Sequence, residues 1–544
     1  MKWQRLMLAV SLIAGALATG ALAHQDDTAS QRTPKGEKLG EVLFKTSCMP
    51  EAQKEFERAL GMLHSFFFPE TVNAFTKVTE IDPNCAIAYW GLAVSTRPNP
   101  LVGPWDAATL KRGLDAVEKG KAVGAKTQRE RDWLAAIEEV YKDYDKVDQD
   151  TRSRNYEKAM EQLTRKYPHD VEAKVFYALA LNETARPSDK TYANQLKAVK
   201  ILAPIDAKYP NHPGVTHYLI HSLDYTPLAQ RGVPAANKYA RVAPSAPHAQ
   251  HMPSHIYSML GMWEQSVQSN QHAIQVGKEL AAKSYPGMTY AALPHCWDFT
   301  EYALLQMGQD QKAKQVRDEA AAAPKTNIDN LGINTGLAAI PARYALERSA
   351  WREAAALEPR GSSYAQAEAI THFARAMGAA RTGDVAAAQQ DIDKLKALRA
   401  TLEKANQSYW AEQVEVQILA AQAWLAQGLG NKDEAMKFMR AAADLEDGSE
   451  KTVVMENRLY PMRELLADLL MEQREPALAL KEYEASMHHT PNRLRGLYGA
   501  AKAAEAVGDK KKAATYMRSL ARLTRNADSD RAEIREAKQQ FASR

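Results

Sequence analysis

Residues 212–261 read "HPGVTHYLIHSLDYTPLAQRGVPAANKYARVAPSAPHAQHMPSHIYSMLG". Features in and beside this stretch return at one interval. Pro210 and Pro244 are 34 residues apart, and so are His217 and His251, and His221 and His255. Apolar residues recur three and four apart between the turn signals "KYPNHPG" and "RVAPSAP", which is the pattern of helices joined by short turns. A fixed period of this length marks a repeated helix–turn–helix unit, each copy burying one face on its neighbours. His217 and His221 are four apart, as are His251 and His255, so each pair shares one helix face. His248 lies three residues before His251 and joins that face.

The same pattern extends in both directions from this stretch, beginning at Cys48. "FPETVNAFTKVTEIDP" (68–83) reads as the second helix of a repeat, with Phe75 as its aromatic plug and Pro83 as its stop. "LGMWEQSVQSNQHAI" has a Gly261 turn before Trp263, and "MGQDQKAKQV" repeats that turn at Gly308, with Ala313 at the small packing position. "RTGDVAAAQQ", "GLGNKDEAMKFM" and "AVGDKKKAATYM" continue the pattern toward the C-terminus. An insertion, "KELAAKSYPGM", separates two repeats without disturbing their register. No alternating strand pattern is present in the sequence. The expected fold is therefore all-α, a tetratricopeptide-like helical-repeat superhelix (α-solenoid) in two stacked arrays. A non-repeating helical bundle is the alternative. "AAAPKTNIDNLGINTG" (321–336) interrupts the helical pattern and reads as a linker between an N-terminal array, 47–320, and a C-terminal array, 337–544.

The chain start reads as a targeting segment. Lys2 and Arg5 precede an apolar run and the small-residue exit Ala21-Leu22-Ala23, which predicts a cleaved signal peptide over 1–23; an uncleaved anchor is the alternative. A flexible polar tail is expected over 24–46. The mature chain is expected to be periplasmic or secreted, with no transmembrane segment after signal removal. The formal charge of +4 falls to +2 without Lys2 and Arg5, so no field of one sign points to nucleic acid or an anionic membrane. Three cysteines are too few for a disulfide scaffold. Cys48 precedes the first helix of a repeat and Cys85 follows the second, and antiparallel helices bring those ends together. A Cys48–Cys85 disulfide is expected, with two separate buried thiols as the alternative. Cys296 reads as a buried thiol, with a soft ligand or a catalytic thiol as the alternatives.

Eight of the fourteen histidines fall between His212 and His295. Successive repeats present His217, His221 and Asp224, then His248, His251 and His255, then His295, Asp298 and Tyr302. In tetratricopeptide proteins, which this pattern resembles, these are the groove-lining slots of the first helix. His64 in "LGMLHSFFFPE" falls near the end of an earlier first helix and is expected on the same side. The candidate metal ligands are His217, His221, His251, His255 and His295. The remaining groove residues are His64, Asp224, His248, Asp298 and Tyr302. The two i,i+4 pairs suggest one tetrahedral four-histidine site for zinc or copper, with Asp224 and Asp298 as acceptors for the distal ring N–H groups. Such a site should release its ligand between about pH 6.5 and 5. The competing reading is a set of hydrogen-bonded structural imidazoles. The zinc-protease pattern, the nucleophile elbow and the phosphate-cradling glycine loop are absent from the sequence, and no catalytic residue is assigned.

"LHSFFFPE", "DPNCAIAYWG", "HPGVTHYLIHSLD", "APHAQHMPSHIYSMLG" and "PARYALE" together resemble a widespread family of exported bacterial tetratricopeptide-repeat proteins. The segments "HYLIH" and "HMPSHIY" carry most of that resemblance. It implies fold and export and gives no reaction. "EKTVVMENRLYPMRELL" matches the family less cleanly at its centre. The function expected from these features is an exported binding or scaffold protein whose groove holds a peptide, a partner protein or a transition metal. The alternatives are a metal-dependent hydrolase or oxidoreductase using the His/Asp/Tyr cluster, and a purely structural assembly factor.

Overall fold

Helix follows helix from Pro50 to Ala542, and no strand is present among the described residues; one isolated bridge joins Thr289 and Thr326. The computed structural model describes residues 36–97 and 99–542. The expected signal segment, 1–23, and the expected tail up to residue 35 lie outside the described residues. Successive helices pack in pairs: Pro50–His64 on Glu70–Ile81, Pro213–Leu223 on Ala229–Val242, Leu293–Gln306 on Asp310–Ala322, and Leu494–Ala506 on Lys510–Leu523. Short turns between packed neighbours leave the antiparallel arrangement. This is the expected all-α helical-repeat architecture, an α-solenoid. No helix among the described residues is long and apolar enough to cross a membrane.

Local chemistry explains the units. Gly261 sits in the turn before Trp263 with φ +65° and faces the Pro491 carbonyl, which an added Cβ would approach to 2.6 Å. Only glycine meets both conditions without strain. Phe75 is fully buried and packs edge-on against Phe56, with ring centroids 5.4 Å apart. The "KELAAKSYPGM" insertion lengthens the second helix of its repeat, so that Trp263–Ser284 runs for 22 residues. Cys48 and Cys85 are disulfide-bonded across 37 residues with Cα atoms 4.9 Å apart, and Cys296 is a buried free thiol.

Two expectations fail in part. Residues 38–46 are no flexible tail: Phe44 is buried among Phe56, Trp90 and Trp133, with ring centroids 5.0–5.5 Å away. Backbone hydrogen bonds hold the segment, Glu41 N–H to the Asn211 carbonyl (3.0 Å) and Leu43 N–H to Glu172 (2.7 Å). Leu39 and Phe44 dock the segment in the core together with these hydrogen bonds, and aromatic pairs such as those of Phe44 contribute about 0.5–1.5 kcal/mol each beyond area burial. The second failure is the linker over 321–336. Only its first part is irregular, since Asn330 caps a helix, Leu331–Glu347, by accepting from Ile333 N–H at 2.9 Å. Gly336, which read as a coil residue, lies where a Cβ would stand 2.8 Å from the Pro294 carbonyl oxygen, so it marks a close helix–helix approach. This helix gives Ile340 to one hydrophobic core, which runs from Leu39 onward, and Leu331, Ala338 and Ala342 to a second, which runs to Ala504.

The later repeats also reach back to the earlier ones. Trp263 donates its indole N–H to the Asn492 carbonyl at 2.8 Å, and Arg493 reaches Tyr302 and Glu347, both at 2.8 Å. The irregular segment 449–461 runs against Pro187, whose carbonyl accepts from Glu450 N–H at 2.8 Å. The histidine face is therefore not an open groove.

Candidate metal centre

Three successive first helices supply the site. Pro213–Leu223 begins with His212 as its cap and Pro213 in its first turn, and it is buried along its whole length. It carries His217 and His221. The next first helix is broken at Met252 because Pro253 has no N–H to donate, which gives Pro247–His251 and Pro253–Met259. These carry His248, His251 and His255. Leu293–Gln306 carries His295. Four of the imidazoles are at most 2% exposed: His217, His221, His251 and His255.

The six rings fall into two trios. In one, His217 lies 4.7 Å from His221 and 4.9 Å from His248, centroid to centroid. In the other, His251 lies 4.8 Å from His255 and 4.7 Å from His295. Within each trio, one nitrogen of every ring lies within 4.8 Å of the others. Ligand atoms held about 2.0–2.1 Å from a single tetrahedral ion stand about 3.3 Å apart. The closest pairs approach that spacing: His217 Nε2 to His248 Nε2 is 3.1 Å and His251 Nε2 to His255 Nε2 is 2.8 Å.

Hydrogen bonds on the far side of the rings decide which nitrogens are bare. His217 donates Nδ1–H to the His64 carbonyl at 2.6 Å, so its neutral ring offers a lone pair at Nε2. Asn270 donates its amide N–H to the Ser266 carbonyl at 2.8 Å, which turns Oδ1 toward His251 Nδ1 at 2.6 Å. His251 must therefore donate there, and its Nε2 is bare as well. His255 Nδ1 meets Glu456 Oε2 at 2.6 Å. With Glu456 ionised, His255 Nε2 is also bare, and two lone pairs face each other across 2.8 Å. That contact needs a proton or a cation. Either Glu456 carries a proton and donates to His255 Nδ1, so that His255 Nε2–H donates to His251, or a positive ion lies between the two nitrogens. Three more buried atoms have no hydrogen-bond partner: His221 Nε2, His295 Nδ1 and Glu456 Oε1.

Electrostatics favour the neutral form of five of the rings. Burial, and then the neighbouring imidazoles, hold His217, His248, His255 and His295 well below the ordinary histidine value. Burial brings His251 down to about 4 against the Asn270 hydrogen bond, which favours its charged form. Burial raises Asp224 despite His221, and burial together with Asp224 raises Glu456 well above the usual carboxylate range. The His251 value of about 4 lies below the expected release window of pH 6.5 to 5. The lone pairs stay available to lower pH because charging a ring here costs desolvation.

A cavity of about 300 Å³ opens in front of the rings, lined by His221, His248, His251, His255 and His295 together with Cys296. Val102, Trp105, Leu331, Ile333 and Val454 make its apolar wall. A larger cavity of about 730 Å³ adjoins it and shares Val102, Trp105, His221 and Gln407.

No family model and no curated protein matches the chain. Among solved structures the chain is similar to a monomeric mutant of IFIT1 with Gppp-AAAA, at 12% identity and TM-score 0.37, covering 88% of this chain and 94% of that one. It is also similar to the human IFIT1 dimer with m7Gppp-AAAA, at 11% identity and TM-score 0.34, covering 89% and 94%. Likeness at this level carries no argument about ligand or partner.

The structure brings together all five expected metal ligands and adds His248 to them. It replaces the expected single four-histidine site with two trios, because stacking sets His248 against His217 and His295 against His251. Asp224 stands at the position expected of it, with Oδ2 3.2 Å from His221 Nδ1. Asp298 does not. It accepts from Arg343 at 3.0 Å, and Tyr302 accepts from Arg493 at 2.8 Å. Both lie on a ridge of the Leu293–Gln306 helix turned away from the rings, and the ridge that faces them is His295 and Phe299, four apart. Phe299 packs 4.8–5.1 Å from His251, His255 and His295. His64 turns away from the site as well, with Nε2 on Glu172 at 2.8 Å and Nδ1 on the Tyr218 hydroxyl at 3.0 Å. Only its backbone carbonyl serves the site. Sequence reasoning missed Glu456 and Asn270. The one sequence signal for Glu456 was the irregular "EKTVVMENRLYP" break in the helical pattern.

Proposed function

We propose that the chain is an exported helical-repeat protein of the tetratricopeptide type that binds two transition-metal ions, one in each imidazole trio. The bare Nε2 atoms of His217 and His251, fixed by hydrogen bonds on the opposite side of each ring, carry this reading. Neutral imidazoles suit zinc, copper or nickel, and Asp224 and Glu456 stand where the outer partners of metal-bound histidines normally stand. The Cys48–Cys85 disulfide supports export, since such bonds persist in oxidising compartments. Burial of the rings speaks against an extended peptide as the ligand of this face.

Chelator-stripped protein purified without a polyhistidine tag should take up two Zn(II) ions per chain, read by competition with a chromophoric chelator and by elemental analysis. His221→Ala and His255→Ala should each lower uptake to one. A folded wild-type chain that takes up none overturns the proposal. A closed structural network with the proton on Glu456 is the second reading, supported by the 2.6 Å contact to His255, and it predicts that null result.

A further inference from the structure

The two trios are not isolated from each other. His248 lies 5.9 Å from His251, and His221 lies 5.8 Å from His255, centroid to centroid across the boundary. Members of both trios line the same 300 Å³ cavity. Three protein ligands leave each ion an open position, as in sites that bind an exogenous ligand, and here both open positions share one space. The six donors are neutral nitrogens, and four of the six rings are buried. Ions of low charge cost least to place in such a setting, because no anionic ligand offsets the desolvation of a divalent pair. Among divalent first-row metals, the affinity order of nitrogen sites peaks at copper.

We propose that the six imidazoles hold a coupled pair of copper ions that takes up one dioxygen molecule between them. This rests on the two-ion reading above. Each cuprous ion gives up one electron and dioxygen takes both, which leaves two cupric ions sharing a two-electron-reduced O₂ dianion. No proton is consumed, no imidazole leaves, and release is the reverse step. The apolar wall of Val102, Trp105, Leu331, Ile333 and Val454 suits a small apolar gas, and the adjoining cavity gives it a way in.

The test uses the full mature chain loaded anaerobically with two Cu(I) per chain. On addition of air-saturated buffer, an oxygen electrode should record one O₂ taken up per two copper ions. Electron paramagnetic resonance should then show little signal, because two cupric spins joined through one bridge pair up. His221→Ala and His255→Ala, each holding one copper, should show the full signal of isolated Cu(II) once oxidised. A wild-type spectrum of two isolated cupric ions per chain overturns the inference, and so does absence of O₂ uptake. Binding of two Zn(II) without any binding of copper overturns this inference and leaves the two-ion reading standing. Binding of neither metal overturns both. The wild-type spectrum decides the matter even if a variant fails to fold.

Discussion

Among the described residues two histidine clusters meet on one helix, Pro213–Leu223 with its cap His212, and their hydrogen bonding differs. In the cluster of His64, Glu172 and His212, each ring nitrogen has a partner. Glu172 accepts from His64 at 2.8 Å and from His212 at 3.1 Å, Tyr218 meets the other His64 nitrogen, and Val215 N–H donates to the other His212 nitrogen at 3.3 Å. In the six-ring cluster, nitrogens face nitrogens and two have no partner. Both clusters hold buried rings, and both could be described as three side chains of metal-ligand type close together. What separates a structural cluster from a binding one is the hydrogen-bond ledger, since an unpaired buried polar atom costs free energy unless something binds there.

The largest expected effect tests the closed cluster. Glu172→Leu leaves two buried imidazoles and the Leu43 amide without their acceptor. It should cost about 3–5 kcal/mol in urea unfolding of the metal-free protein, the usual penalty for breaking a buried pair. Metal stoichiometry of the folded fraction should stay at two, and a loss of ions would merge the two clusters into one functional unit.

Acid should act next, and mainly on the open cluster. Its depressed rings stay neutral in the fold, while the unfolded chain takes up protons below about pH 6.5. Stability of the metal-free protein should therefore be full above about pH 6.5 and fall as the pH drops toward the folded values, about 4 for His251. That ring alone contributes roughly 3 kcal/mol across the window. Unfolding midpoints measured at neutral pH and near pH 4.5 should differ accordingly, and less in metal-loaded protein. A flat profile would mean that the rings are already charged or solvated.

The smallest effect concerns the outer partner. Glu456→Gln keeps the shape and removes the carboxylate behind His255, and it should weaken metal affinity about 10–100-fold without changing the ion count. Unchanged affinity would place Glu456 with the structural network.

The sequence made the repeat and the ring faces legible because both depend on spacing along a single helix. His217 with His221, and His251 with His255, follow from 3.6 residues per turn. The disulfide followed from the ends of one helix pair. The division into trios did not follow, because it depends on how three helices are offset when stacked. Glu456 was out of reach for a similar reason, lying 201 residues from His255 in an irregular segment that periodicity cannot place. His64, Asp298 and Tyr302 sat at plausible spacings. Glu172, Arg343 and Arg493 claimed them through contacts that only tertiary packing creates.

The segment 449–461, described above as a break in the helical pattern, also divides the site along the chain. It carries Glu456 to a pocket whose rings all lie at least 160 residues earlier. A chain ending before this segment would hold all six imidazoles and lack both Glu456 and the Val454 part of the pocket wall. A cut within this segment would loosen that wall without touching any ring.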